Sequence, residues 1–162
     1  MKYCYGCGEK LIEKNLKNEG LIPFCPKCNT YRFPIFSAAI SAVIVNKDKT
    51  KTLLIKQYGT GKNRLVAGYI NKGESAEEAL LREMSEEIGV KPIFYKLQKT
   101  IYYEKSNTLM INFYVVLEDE NITPNYEIDE YQWYNIEDGL EGLKEALIAK
   151  KFYEYFLENN YK

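Results

Sequence analysis

The stretch GYINKGESAEEALLREMSEEIGV, residues 68–90, decides how the rest of the chain is read. Ser75 and Glu78 have the S-x-x-E spacing of a capping box, which predicts a helix starting at Ser75. Gly89, with Pro92 beyond it, ends that helix after Ile88. At about 100° per residue, Leu80, Leu81, Met84 and Ile88 fall on one side and are expected to supply core. Glu83, Glu86 and Glu87 gather on the neighbouring side at i, i+3 and i+4. Like charges at those spacings oppose a helix by only about 0.2–0.5 kcal/mol per pair, so an acidic face alone reads as solvated surface. The flanks say more. Ala76 and Ala79, on earlier turns of that face, are small and expected to leave room for something positively charged. Gly68 and Gly73 permit a loop that brings backbone carbonyls to the helix, and Arg82 is placed to pair with Glu74 and hold that loop down. Three carboxylates, a carbonyl and waters form an all-oxygen cage suited to Mg2+ or Mn2+, the ions that phosphate chemistry uses.

Outside this stretch, composition narrows the chemistry. The chain has 162 residues, 46% hydrophobic and 28% charged, which suits one compact domain with a small appendage. Lysine plus arginine (22) nearly balances aspartate plus glutamate (23), which argues against a general nucleic-acid or membrane-surface binder. There is no histidine. Ser-His-Asp and Cys-His catalysis, histidine general bases and Cys2His2 zinc sites are therefore excluded. The opening residues carry no apolar h-region, and the apolar run Ile35 to Val45 is too short to span a bilayer, so no membrane association and a cytoplasmic location are expected.

All four cysteines lie at the front, as Cys4 and Cys7, then Cys25 and Cys28, in the pattern C-x2-C-x17-C-x2-C. Gly6 and Gly8 ease the first turn and Pro26 stiffens the second. Two such turns complete a four-thiolate shell that suits Zn2+ and leaves no open position for water, so the site reads as structural. Iron would take the same ligands, and two disulfides are the remaining alternative, disfavoured by the expected compartment. The loop between the pairs mixes Lys10, Lys14 and Lys17 with Glu9, Glu13 and Glu19, so it forms no basic stripe.

A zinc ribbon over 1–33 and a second domain over 34–162 follow, joined near Phe33 and Pro34. In the second domain, Ala38 to Val45 reads as a buried strand and 52–55 as its hairpin partner. A flexible loop is expected at 59–63, a short strand at 65–67, then the helix, then strands at 99–103, 109–117 and 130–134. The acidic run 118–121 reads as a solvated loop, and a closing amphipathic helix is expected over 142–155. The pattern is mixed α/β. The aromatic run FYEYF at 152–156 suits helix packing or a dimer surface, and a homodimer is expected.

Residues 68–90 fit, at every specified position, the Nudix box G-x5-E-x7-R-E-U-x-E-E-x-G-U, where U is a bulky aliphatic residue. The chain thus resembles the Nudix hydrolases. The resemblance implies an α/β/α sandwich with a mixed sheet, and metal-dependent hydrolysis of a nucleoside diphosphate derivative. Glu83, Glu86 and Glu87 would be the catalytic, metal-binding carboxylates and Glu74 with Arg82 the structural pair. A ribbon placed directly before such a domain, with LVAGYI at 65–70 entering the box, is similar to the NADH pyrophosphatase family, which cuts NADH or NAD+ into nicotinamide mononucleotide and AMP. Bacterial members also remove NAD caps from RNA. By that resemblance the Ala67 carbonyl would be a metal ligand, Tyr69 would stack on a substrate base, and Glu130, in EIDEYQW at 127–133, would be a fourth acidic ligand. Tyr102 and Tyr103 are further candidates to stack on a base, and the stretch from Ile148 to Phe152 resembles a helix that contributes to the substrate pocket. The family's signature S-Q-P-W-P-F-P-x-S is replaced here by TIYYEKSNT at 100–108. ADP-ribose, nucleotide sugars and modified nucleoside triphosphates stay open as substrates, as does a ligand sensor without turnover.

Overall fold

A computed structural model describes residues 1–143 and 145–161. The chain forms two compact units, Met1–Phe36 and Ser37–Lys162. In the first, three antiparallel strands, β1 (Ile12–Leu16), β2 (Gly20–Cys25) and β3 (Thr30–Tyr31), lie in the order β1-β2-β3. Cys7 and Cys28 are each followed by a left-handed residue, Gly8 at φ +74° and Asn29 at φ +53°. Both C-x2-C turns therefore close in the same way, with glycine in one and asparagine, the side chain that best tolerates this region, in the other.

The second unit is built on a mixed sheet. Its strands are β4 (Ser37–Val45), β5 (Lys51–Gln57), β6 (Asn63–Arg64), β7 (Val66–Tyr69), β8 (Phe94–Tyr103), β9 (Thr108–Val116) and β10 (Ile128–Asn135). The order is β10-β5-β4-β9-β8, with β6 against β5 and β7 against β4. β4 runs parallel to β9 in register from Ser37 with Thr108 to Val45 with Val116. The hairpin expected of β4 and β5 is only its own root: the two strands pair at Val45 and Thr52 and then part. β6 pairs with β5 from Arg64 opposite Ile55, and β7 pairs with β4 from Val66 opposite Ala42 to Tyr69 opposite Ala39. This opening carries the glycine-bearing loop to the site.

Side-chain alternation gives the central strands β4, β5 and β9 two buried faces. Ile40, Ala42, Ile44, Leu53, Ile55, Phe113 and Val115 pack with α1 (Ala76–Ile88). Val43, Val45, Leu54, Tyr114 and Val116 pack on the other face with α2 (Gly139–Gly142) and α3 (Leu147–Asn159). The result is the expected α/β/α sandwich. No helix among the described residues is long and apolar enough to cross a membrane.

Three expectations are corrected. Leu81 is 37% exposed, because one residue past Leu80 rotates it off the face that Leu80, Met84 and Ile88 bury. Ala76 and Ala79 pack into the core against the sheet, so they leave no room on the acidic face. The closing helix starts at Leu147 rather than at 142, after the separate short turn of α2; Lys144, inside the expected range, lies outside the described residues. The start of α1 is as expected: Ser75 accepts from the Glu78 amide at 3.1 Å, and Glu78 accepts from the Ser75 amide at 2.8 Å. Ser75→Ala should cost about 1 kcal/mol, lowering Tm by about 2–4 °C; thermal denaturation followed by circular dichroism measures it, and an unchanged Tm would show that the box contributes nothing.

Candidate active site and metal centres

Arg82 organises the acidic face. Its Nε donates to Glu74 Oε1 at 2.7 Å and its Nη2 to Glu74 Oε2 at 3.0 Å, a two-pronged pair joining helix to loop. Nη2 also donates to the Tyr69 carbonyl at 3.0 Å, and Nη1 to Glu83 Oε1 at 2.6 Å and Glu86 Oε2 at 3.1 Å. Glu74 is held below the usual carboxylate range by Arg82 and by the Asn71 amide. The expected pairing of Glu74 with Arg82 is therefore present.

A cavity of about 550 Å³ opens over this face, lined by Ala67, Gly68, Tyr69, Arg82, Glu83, Glu86 and Glu87 among others. Gly68 is what brings loop and helix so close: a Cβ there would lie 1.9 Å from Glu83 Oε1. The carboxylates differ in surroundings. Glu86 is mostly exposed, with a side chain 58% accessible. Glu83 is half-buried and pushed up by burial, partly offset by Arg82. Glu87 is 3% exposed; its Oε1 accepts from Gln57 Nε2 at 3.0 Å, while its Oε2 is buried with no hydrogen-bond partner. Burial, with the charges of Glu83, Glu127 and Glu86 added, pushes Glu87 up to about 7 despite the Gln57 bond.

An unpartnered buried carboxylate oxygen in a cavity lined by three other acids is a poor arrangement for a bare protein. It is a good one for a hard divalent cation, which takes oxygen donors and offsets the mutual repulsion. The residues present thus fit Mg2+ or Mn2+.

The fourth acid lining the cavity is Glu127, whereas the sequence pointed to Glu130. Glu127 lines the cavity and accepts from the Tyr58 hydroxyl at 2.8 Å. Glu130 is not among the cavity's lining; it pairs with Lys56 Nζ at 2.6 Å, its neighbour across β5. The register shift between Ile128 and Glu130 separates the two, leaving Glu127 at the mouth of β10. Two further residues escaped the sequence reading: Gln57 and Tyr58, at the end of β5, hold Glu87 and Glu127. Neither belongs to a motif, and only the tertiary path of β5 brings them here.

The tyrosines divide. Tyr69 stands at the cavity, 61% exposed. Tyr103 lines a neighbouring, smaller cavity, whereas Tyr102 lines neither and donates to Asn107 Oδ1 at 2.5 Å. Adjacent residues on a strand face opposite ways, so β8 offers one of the pair and withdraws the other.

In the first unit the four cysteine sulfurs lie within 4.8 Å of one another, with Cys7 to Cys25 at 3.5 Å and Cys4 to Cys28 at 4.0 Å. Tetrahedral zinc–sulfur bonds of about 2.3 Å set sulfurs about 3.8 Å apart. Amides of Gly6 and Cys28 donate to Cys4 and Cys25, at 3.4 and 3.3 Å, and Arg32 Nε donates to Cys4 at 3.1 Å. Burial pushes the Cys4 thiol up, but the bonds from Arg32 and the Gly6 amide prevail and bring it down to about 6. Cys7 and Cys25 drive Cys28 up to about 12, since the sulfurs crowd one another. A metal ion removes that conflict, and this donor set suits zinc.

Comparison with known proteins matches a family model, the NUDIX domain, to residues 36–156. The NAD-capped RNA hydrolase NudC of Pseudomonas aeruginosa PAO1 is 23% identical over 137 residues, covering 84% of this chain and 48% of that protein. NudC of Stutzerimonas stutzeri is 26% identical over 161 residues, covering 96% and 56%. The chain spans about half the length of the curated relatives it matches. Among solved structures, a NUDIX hydrolase from Nitrosomonas europaea superposes with a TM-score of 0.64 at 21% identity, covering 98% of this chain and 92% of that one. A MutT protein from Methanosarcina mazei gives 0.64 at 24%, covering 78% and 96%. These two likenesses establish the fold.

Glu87 also sets a pH dependence. Its carboxyl shifts from 4.5 to about 7 on folding, so between those values the native state of the metal-free chain binds the extra proton. Stability then declines as pH rises through this window and is lowest above it. Glu87→Gln should stabilise the metal-free protein by about 1–3 kcal/mol at pH 8, since one pKa unit is worth about 1.4 kcal/mol, and by much less at pH 5. Denaturant melts at both pH values in a chelator measure this; an equal gain at both would show that Glu87 does not titrate here.

Proposed function

Because the chain belongs to the Nudix family, we propose that it hydrolyses the diphosphate bond of a nucleoside diphosphate derivative, with NADH or NAD+ cut to nicotinamide mononucleotide and AMP as the foremost case. The names of the curated relatives bring NAD-capped RNA into the proposed substrate set. The observation that carries the reading is the buried Glu87 Oε2, left without a partner among four cavity carboxylates.

In this reading Glu83, Glu86, Glu87 and Glu127 hold Mg2+ or Mn2+, together with the Ala67 carbonyl. A bound divalent ion there offsets the charge of the diphosphate and makes water more acidic. Arg82 keeps Glu83 and Glu86 in place, and Gln57 and Tyr58 do the same for Glu87 and Glu127. Tyr69 stacks on a base at the cavity mouth. The attacking water adds to one phosphorus, its proton passes to a carboxylate of the group, and the bond from that phosphorus to the bridging oxygen breaks. Glu86, the most solvent-exposed of the three helix acids, is the acceptor we assign.

A product screen with Mg2+ or Mn2+ over NADH, NAD+, ADP-ribose, a nucleotide sugar, 8-oxo-dGTP and NAD-capped RNA tests this. Hydrolysis of at least one, reduced about 10²–10⁴-fold in Glu86→Gln, the size typical of a lost general base, is expected. Tight binding of a nucleotide without product would instead make the chain a sensor.

The cysteine unit, in the same proposal, binds one Zn2+ through Cys4, Cys7, Cys25 and Cys28, and the metal supplies folding free energy that so small a unit lacks. Elemental analysis of the purified chain should give one zinc per chain. Removing it with a chelator should abolish amide-exchange protection in Met1–Phe36 while leaving β4, β5 and β9 protected. Iron in place of zinc, or protection that survives chelation, would contradict this.

A further inference from the structure

The smaller cavity beside the carboxylates has the opposite charge. It measures about 370 Å³ and shares Arg64, Leu65, Ala67 and Met110 with the acidic cavity, so the two adjoin. Part of its wall is apolar: Leu65 and Phe152 are buried, with Met110 and Ala149 beside them. Its charged lining is Lys62, Arg64 and Lys105 against one carboxylate, Glu145. Lys62 is taken up by Glu145, at 2.9 Å. Arg64 and Lys105 make no ion pair or side-chain hydrogen bond among the described residues. They come from separate elements: Arg64 sits on β6 opposite Ile55, and Lys105 on the short 3-10 turn Glu104–Ser106 between β8 and β9.

A base and an unmodified ribose need apolar wall and hydrogen bonds, not two uncompensated cations. A guanidinium and an ammonium lining one cavity suit a phosphate, the first through its planar fork and the second as a point charge. Starting from the diphosphate reading above, on which this inference rests, we propose that the smaller cavity receives the second nucleoside and that Arg64 and Lys105 bind a phosphate esterified to its ribose. Among nucleoside diphosphate derivatives, one carrying a further ribose phosphate then binds more tightly than its counterpart without it. The acidic cavity takes the bond that breaks, and the basic one reads the far end of the molecule. The alternative is that both cations are ordinary solvated surface charges.

Equilibrium binding to the full chain in Mg2+, with AMP, adenosine 2′,5′-bisphosphate and adenosine 3′,5′-bisphosphate, separates the two. None of these has a diphosphate bond, so binding is read without turnover. One bisphosphate should bind about tenfold or more tightly than AMP, the effect of one or two charge-assisted hydrogen bonds. Preference for the 2′ compound assigns a 2′-phosphorylated nucleotide; preference for the 3′ compound assigns a ribose extended or phosphorylated at its 3′ oxygen. In the double variant Arg64→Ala, Lys105→Ala the advantage should fall to within about threefold, and Lys105→Arg should keep it. Thermal melting checks that the variants fold; both side chains are exposed. Equal affinity for all three nucleotides, no measurable bisphosphate binding at millimolar concentration, or an advantage that survives the double substitution would overturn the proposal. A bisphosphate preference in a chain that hydrolyses nothing would uphold this site and refute the hydrolase reading instead.

Discussion

Everything at the acidic cavity depends on how Arg82 distributes its five N–H groups. Two go to Glu74 and one to the Tyr69 carbonyl, which fastens the end of β7 and the loop after it to the middle of α1. The remaining two go to Glu83 and Glu86, each taking one oxygen and leaving the other free for the cavity. Arginine alone offers five donors in a fixed planar arrangement without an acceptor, so lysine would leave several of these groups unpaired. A single side chain thus holds the loop, partly offsets the crowded acids and aims two of them.

The arginine works only because the sheet opens to let the loop in. β4 and β5 part after one residue pair, and the short strands β6 and β7 fill the gap. That delivers Gly68 to a place where a side chain would collide with Glu83. The same opening brings the ends of β5 and β6 to the site. Gln57 and Tyr58 then brace two acids, while Arg64 lines both the acidic cavity and the basic one. Charge is thus arranged along the groove: carboxylates without enough protein cations at one end, cations without enough carboxylates at the other. A ligand carrying both divalent metal and phosphate balances both.

Local signals and long-range ones fared differently. The capping box, the left-handed Gly89 that closes α1, and the paired C-x2-C turns involve residues a few positions apart, and the chain shows them directly. Glu83, Glu86 and Glu87 were likewise evident, because helical spacing alone puts them together. Glu127 was not. It sits three residues from Glu130 in one stretch, and only the bulge at the start of β10 decides that Glu130 meets Lys56 while Glu127 meets the cavity. Leu81 and the alanines of α1 mislead for a related reason: a helical wheel gives the angles between side chains but not which angle faces the sheet.

By itself, then, the sequence showed the paired cysteine turns, the helix that carries Glu83, Glu86 and Glu87, and the mixed α/β class, since each follows from spacing within one turn or one strand. Only the tertiary structure decided which other residues line the two cavities: Gln57, Tyr58, Glu127, Arg64 and Lys105 come from four separate segments. Their meeting depends on strand register and on where the sheet opens, which are set by packing across the whole core rather than by any short stretch of chain.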